Sequence, residues 1–379
     1  MTRTRKLLLT ALLAILLVAM GIVVYWRSVA TDTNVVKIGV VLELTGASSV
    51  HGQDALESIR MALEKVNAAG GIDGKKVELV VEDNASKPAK TVDAVTKLIT
   101  VDDVTVIIGP ITTAGTLAGA EIADRHKVVL FSPTAASSEV HGRSPYCFRI
   151  GLLTTTQGER MAAYCFSERG IANVGQLVMN DETGVAYAND FRKKFEKLGG
   201  AITLRIEYQK TDTEFRAQLT KLKEAGISNL YVSAVPRTMG FICRQARELN
   251  YRPQLFANAG VEGEDLLIIG GDAAEGLVFT GLAPTDEFSG EFERRTSRQP
   301  SIGAPQAYDT FNIVIAAIRA NGASAEAVRA YLHEMPPFTG VGGRIQFDAT
   351  GEVVREAHLK TVRQGRFVRL QEVPTHVTK

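Results

Sequence analysis

Beyond about residue 34, short apolar runs rich in β-branched residues alternate with longer segments whose apolar positions recur every three or four residues. The short runs read as buried strands and the longer ones as amphipathic helices. Their alternation predicts a parallel sheet covered by helices on both faces. Strands are expected at Val35 to Leu42, Val77 to Glu82, Val104 to Ile108 and Val128 to Phe131, with helices at Asp54 to Ala69, Pro88 to Thr100 and Thr113 to His126 between them. Gly70 and Gly71 stop the first helix, and Pro88 stands in the first turn of the second, where its missing N–H leaves no bond unmade.

A second series begins after a short connection near Gly151. It reads as a helix from Gln157 to Arg169, a strand from Asn173 to Met179, a helix from about Val185 to Leu198, and strands at Ala201 to Tyr208 and Asn229 to Val232. A helix from Thr238 to Leu249 and strands near Leu255 and at Gly276 to Phe279 follow. Past Pro284 the pattern turns mainly helical, with Pro305 to Ala320 and Ala323 to His333, before strand-like pieces at Arg344 to Phe347 and His358 to Val362. This tail has too few strands for a third domain. It is expected to complete the first two, so the chain must cross between lobes more than once, and several short crossings make a hinge.

The 379 residues exceed one average domain, which agrees with two lobes. With 45% hydrophobic residues, 22% charged residues and a formal net charge of +1, the chain is neither disordered nor a polyanion binder. Nucleic acid is excluded as a partner, because the basic residues are scattered and lack interleaved aromatics. Three cysteines, Cys147, Cys165 and Cys243, are too few for a disulfide scaffold and too far apart for a metal knuckle. They read as small buried hydrophobes, with a Cys147 to Cys165 bridge as the alternative outside the cytoplasm.

Residues 1 to 30 carry an export signal. Arg3, Arg5 and Lys6 precede an uncharged stretch from Leu7 to Trp26, which holds the N-terminus in the cytoplasm and sends the rest across the membrane. Ser28 and Ala30 suit a signal peptidase, whereas Tyr25, Trp26 and Arg27 resemble an interfacial belt. Cleavage and an uncleaved anchor that keeps membrane contact are both consistent with this segment. No cysteine follows it, which excludes a lipoprotein anchor.

Enzyme motifs are absent: there is no GxGxxG, GxxxxGK[ST], HExxH or GxSxG. The six histidines are dispersed without metal spacing, and adjacent carboxylates such as Asp102 and Asp103 point apart. No catalytic residue, metal or cofactor is therefore expected. Small polar residues gather instead just beyond the strand ends, where open parallel sheets bind ligands on helix N-termini. They include Glu43 to Ser48, Gly109 to Thr113, Ser132 to Ser137, Asn180 to Gly184, Ser233 to Thr238 and Asn258 to Glu262. The pair Thr112 and Thr113 at a helix start can hold a carboxylate through a hydroxyl and backbone N–H groups.

The sequence Asn67, Ala68, Ala69, Gly70, Gly71, Ile72, Asp73, Gly74, followed by Val77 to Val81, Glu82 and Asp83, resembles the helix, turn and second strand of the periplasmic leucine/isoleucine/valine-binding proteins. These are type I solute receptors of ABC importers. Arg244 to Arg247, Gly271 to Gly276, Tyr308 with Asp309, and Phe347 to Gly351 support the likeness in order and spacing. The resemblance implies two doubly wound α/β lobes with three crossings near residues 151, 283 and 354. Residues 35 to 151 with 284 to 353 would form lobe I, and 152 to 283 with 354 to 379 lobe II.

It also implies a binding site. Thr113 falls where the family has a hydroxyl ligand, Thr134 and the neighbouring Ala135 where it uses backbone, and His51 where an aromatic ring covers the pocket. Ala136 replaces a hydroxyl residue, Gly184 and Val235 replace aromatic walls, and Ala259 stands where an acid would meet an α-ammonium. These departures, with Arg237 nearby, point to a carboxylate or amide without the amino group, with space for an aromatic body beside Gly184 and Val235; Glu262 is the alternative acid for an ammonium. The expected role is a carrier that hands a small organic solute to an inner-membrane permease. The alternative is a membrane-tethered sensor that reports the same ligand to a partner protein.

Overall fold

A computed structural model describes residues 34–370. Strands β1 (Val35–Leu42), β2 (Lys76–Asp83), β3 (Val106–Ile108), β4 (Val129–Ser132) and β5 (Cys147–Arg149) form a parallel sheet in the order β2-β1-β3-β4-β5. Helices α1 (Ser49–Ala68), α2 (Pro88–Thr100) and α3 (Thr113–His126) connect them. Successive side chains of a strand point to opposite faces, so Ile38, Val40 and Leu42 join the core under α1 while Val41 packs with Val95 and Leu98 of α2. Both faces of the sheet are buried, which explains why these strands read as continuous apolar runs.

The chain then leaves this lobe. Helix α4 (Thr154–Ala163) leads to β6 (Asn173–Met179), α5 (Glu182–Lys197), β7 (Ala201–Tyr208), α6 (Arg216–Glu224), β8 (Asn229–Ser233), α7 (Pro236–Glu248), β9 (Gln254–Ala257), α8 (Glu264–Gly270) and β10 (Val278–Gly281). It returns as α9 (Asp286–Thr296), α10 (Gly303–Asn321) and α11 (Ala325–His333), with α10 packed along α1. A small antiparallel sheet follows, made of β11 (Phe338–Gly340), β12 (Gly343–Phe347) and β13 (Val353–Val354). Finally β14 (His358–Arg363) and β15 (Arg366–Arg369) join the second large sheet, whose order is β15-β14-β10-β9-β8-β6-β7, with β14 and β15 antiparallel to their neighbours.

Three crossings thus connect two doubly wound lobes, between β5 and α4, between β10 and α9, and between β13 and β14. Arg355 ties two of them together. Its buried guanidinium donates to the carbonyls of Ile150 at 3.0 Å and Gly342 at 2.8 Å and lies 3.8 Å from Asp309. Asp309 in turn accepts from the backbone N–H groups of Val341 at 2.7 Å and Gly342 at 3.0 Å.

Several elements differ from the sequence reading. Helix α1 begins at Ser49 rather than Asp54, and β3 begins at Val106 because Val104 packs into the core from the preceding loop. Helix α4 begins at Thr154 and widens at Tyr164–Glu168 into a π turn. Helices α6 and α8 gave little periodic signal because each buries two side-chain positions or fewer of apolar character beyond its ends: Leu219 and Leu222 in one, Leu266 in the other. The proposed Cys147 to Cys165 bridge is absent. Those residues belong to different lobes, and all three thiols are free. Burial pushes the Cys147 and Cys243 thiols up to about 12, so neither is a nucleophile at neutral pH. The expected export segment, including Leu7 to Trp26, lies outside the described residues.

Candidate functional site

The loops beyond the C-terminal strand ends of both sheets meet across a cavity of about 260 Å³. On the first-lobe side the chain enters α3 through a fixed turn. Glu43, fully buried, accepts from the N–H of Ile111 at 3.0 Å and of Thr112 at 3.2 Å, and from the Thr112 hydroxyl at 2.8 Å. The same hydroxyl caps α3 by accepting from the Gly115 N–H at 3.2 Å. Thr112 is therefore committed to holding the turn. Thr113 is not: its buried hydroxyl accepts weakly from the Ser137 N–H at 3.5 Å and keeps its own proton to donate. The N–H groups of Thr113 and Ala114 stand in the first helical turn, where no intrahelical acceptor exists, and the positive end of the helix dipole adds to them.

The second-lobe wall is ordered by side-chain amides. Gln157 accepts from the Ala259 N–H at 2.8 Å and the Thr280 hydroxyl at 2.9 Å, and donates to the Leu152 carbonyl at 2.6 Å. Its amide also lies 3.2 Å from the Tyr187 hydroxyl, which burial pushes up to about 12, so Tyr187 stays a neutral donor. Gln306, from the first lobe, accepts from the Leu152 N–H at 3.1 Å. Asp181 caps α5 by accepting from Gly184 N–H at 2.7 Å and stands 3.4 Å from the Lys210 ammonium.

His51 spans the cleft. Its Nε2 is 3.0 Å from the carbonyl oxygen of Gly260, which requires the proton on that nitrogen. Burial, the largest cause, and the nearby Lys210 charge lower its pKa to about 4, so the ring is neutral.

Seven of the residues singled out in the sequence line the cavity: His51, Thr112, Thr113, Thr134, Ala136, Val235 and Ala259. Thr134 donates its hydroxyl to the Ile111 carbonyl at 2.7 Å and so braces the α3 turn. Three others do not line it. Ala135 is buried behind the wall, with its N–H on the Ser132 hydroxyl at 3.1 Å. Gly184 opens no space for a ligand, because a Cβ there would stand 2.3 Å from the Met179 carbonyl oxygen; the glycine lets α5 pack on the end of β6. Arg237 is exposed, its guanidinium 5.6 Å from the Phe241 ring centroid, and its charge stays in solvent. Glu262 is also no ammonium seat, since it is buried against Lys360 and absent from the cavity lining.

Sequence reasoning placed Asn258 in a strand-end loop facing the site but missed Gln157, Tyr187, Lys210 and Gln306 as cavity-lining residues. For Tyr187 a signal existed: Gly184, Tyr187, Ala188 and Phe191 make one buried helical face that begins at a strand end. Gln157 and Gln306 sit inside helices α4 and α10, which a search of strand-end loops does not reach.

With this geometry in place, residues 35–366 match the family model described as periplasmic binding protein. The chain belongs to the periplasmic binding protein family. A leucine-, isoleucine-, valine-, threonine-, and alanine-binding protein of Pseudomonas aeruginosa is 26% identical over 338 residues, covering 86% of this chain and 88% of the relative. Among solved structures, the branched-chain amino acid transporter substrate binding protein of Streptococcus pneumoniae in complex with isoleucine superposes with a TM-score of 0.83 at 26% identity, covering 88% of this chain and 97% of that one. A leucine binding protein from Thermotoga maritima gives 0.82 at 27% identity, covering 88% and 97%. As a periplasmic binding protein this chain is a solute receptor and not an enzyme, and its cavity lies where the strand ends of both lobes meet.

Proposed function

We propose that this periplasmic binding protein captures a small organic carboxylate, or the corresponding amide, by closing its lobes around it and hands it to an inner-membrane ABC permease. Residues 35 to 151 with 284 to 353 and residues 152 to 283 with 354 to 370 are the bodies that move, pivoting at the three crossings. The observation that carries this reading is the seat at the start of α3. There the Thr113 hydroxyl and the N–H groups of Thr113 and Ala114 remain free to donate into a cavity walled mainly by Ile111, Ala136, Leu152, Val235 and Ile302. Such a seat suits an anionic head, and such walls suit an apolar body.

The solute we favour lacks an α-ammonium. The similar proteins named above bind amino acids, but here Ala259 occupies the second-lobe wall and Glu262 is engaged with Lys360. A ligand that touches both lobes favours the closed form, which is the form a permease can distinguish. The segment before the described residues directs the protein out of the cytoplasm.

The test is a thermal-shift screen of the purified protein against branched and aromatic monocarboxylates, their amides and the matching amino acids. A ligand at 100 times its dissociation constant adds about 2.7 kcal/mol of stability. A shift with monocarboxylates that Thr113→Ala removes is expected. A shift confined to amino acids would overturn the ligand class, and none with any of these compounds would overturn the reading.

A further inference from the structure

Among the described residues that line the cavity, Lys210 is the one lysine, and no arginine lines it. It follows β7 at the edge of the second sheet, and its side chain is about a quarter exposed, at 26%. Its partner Asp181 lies 3.4 Å away, while the Asp181 carboxylate is already drawn to the Gly184 N–H at 2.7 Å. An ammonium offers three donors, so this contact leaves donors for a ligand. Its charge also reaches across the cleft, since it is among the causes that make the His51 ring on the opposite lobe less basic. The other carboxylate of the lining, Glu182, is exposed.

We infer that Lys210 sets the charge class of the solute. Its ammonium supplies the second-lobe attraction for an anionic solute, and by pairing with Asp181 it removes the nearest half-buried carboxylate that an α-ammonium would need. A zwitterionic amino acid entering this cleft must place its ammonium near Lys210 or displace Lys210 from Asp181, and both cost affinity. This inference rests on the reading that the solute enters with a carboxylate.

The experiment is titration calorimetry with two matched pairs that differ by the α-ammonium alone: 4-methylpentanoate with leucine, and 3-phenylpropanoate with phenylalanine. Wild type, Lys210→Met and Lys210→Arg are compared, with melting curves to establish that each variant is folded. The expected result is that wild type prefers the acid in at least one pair and that Lys210→Met weakens that acid about 10-fold or more while the amino acid is unchanged or gains. Lys210→Arg should keep the preference, because the charge remains. Equal loss of acid and amino acid in Lys210→Met, or no change in either, overturns the role of Lys210 while leaving the carboxylate seat standing. Failure of wild type to bind either acid overturns the carboxylate reading and this inference with it.

Discussion

The imidazole Nε2 of His51 and the carbonyl oxygen of Gly260 lie 3.0 Å apart, so a ring on the first helix of one lobe is bonded to the backbone of the other. Separating the lobes would break this contact, so under the proposed hinge closure it makes closure sensitive to protons. In the closed form burial lowers the His51 pKa to about 4, with Lys210 acting in the same direction and Glu43 and Asp265 opposing it. Opening returns the ring to water and its pKa toward the ordinary 6.5. The open form therefore binds the extra proton, and closure loses stability as the pH falls through 6.5 toward 4. Affinity for the solute should weaken about 20-fold between neutral pH and about pH 5. Calorimetry across that range checks it, and His51→Gln, which keeps a donor for Gly260 but does not titrate, should flatten the profile.

Thr113 and Thr112 are neighbours with different duties, and their variants should separate accordingly. On the proposed reading Thr113→Ala removes a donor to the solute carboxylate, and a hydrogen bond to a charged group contributes roughly 1.5–3 kcal/mol, so affinity should fall about 10-fold or more with little change in melting temperature. Thr112→Ala instead removes the cap of α3 and one of the donors to buried Glu43, so it should cost about 1 kcal/mol of stability. Melting and binding measured on both variants would show whether the two effects divide in this way.

Gly184→Ala tests the role of that glycine. The added methyl would meet the Met179 carbonyl oxygen at 2.3 Å and its Cβ at 2.8 Å, and neither belongs to the flexible end of a side chain. The expected loss is about 1–3 kcal/mol, seen as a lower melting temperature. If Gly184 were instead an open part of the ligand wall, the variant would melt normally and change solute preference.

The sheets were legible because burial on both faces turns each central strand into an apolar run, as in Val35–Leu42 and Asn173–Met179. The short helices were not, since α8 buries Leu266 and Gly270 and so offers a single buried apolar side chain, too little to make a pattern. The site was half legible for a related reason. A polar loop after an apolar strand marks Thr112, Thr113 and Thr134, but the direction of a side chain within such a loop depends on packing between elements distant in sequence. That is why Arg237 leaves the cavity to lie over Phe241, while Lys210, beyond an edge strand, enters it.

Glu262 and Lys360 form a buried ion pair between the loop after β9 and strand β14, and it provides the last test of where the solute's charges go. Burial raises the Glu262 pKa while the Lys360 ammonium lowers it, and neither residue lines the cavity. Removing one partner leaves the other charge buried alone, so Lys360→Met should cost about 3–5 kcal/mol. The double variant Glu262→Leu with Lys360→Met should recover most of that loss, because well-packed apolar groups replace a buried pair at little cost. A double-mutant cycle by denaturant unfolding measures this coupling. In the folded double variant, solute affinity should match wild type. A selective loss of amino-acid binding there would mean that Glu262 receives an ammonium after all, and that the second lobe reads its ligand from behind the Ala259 wall.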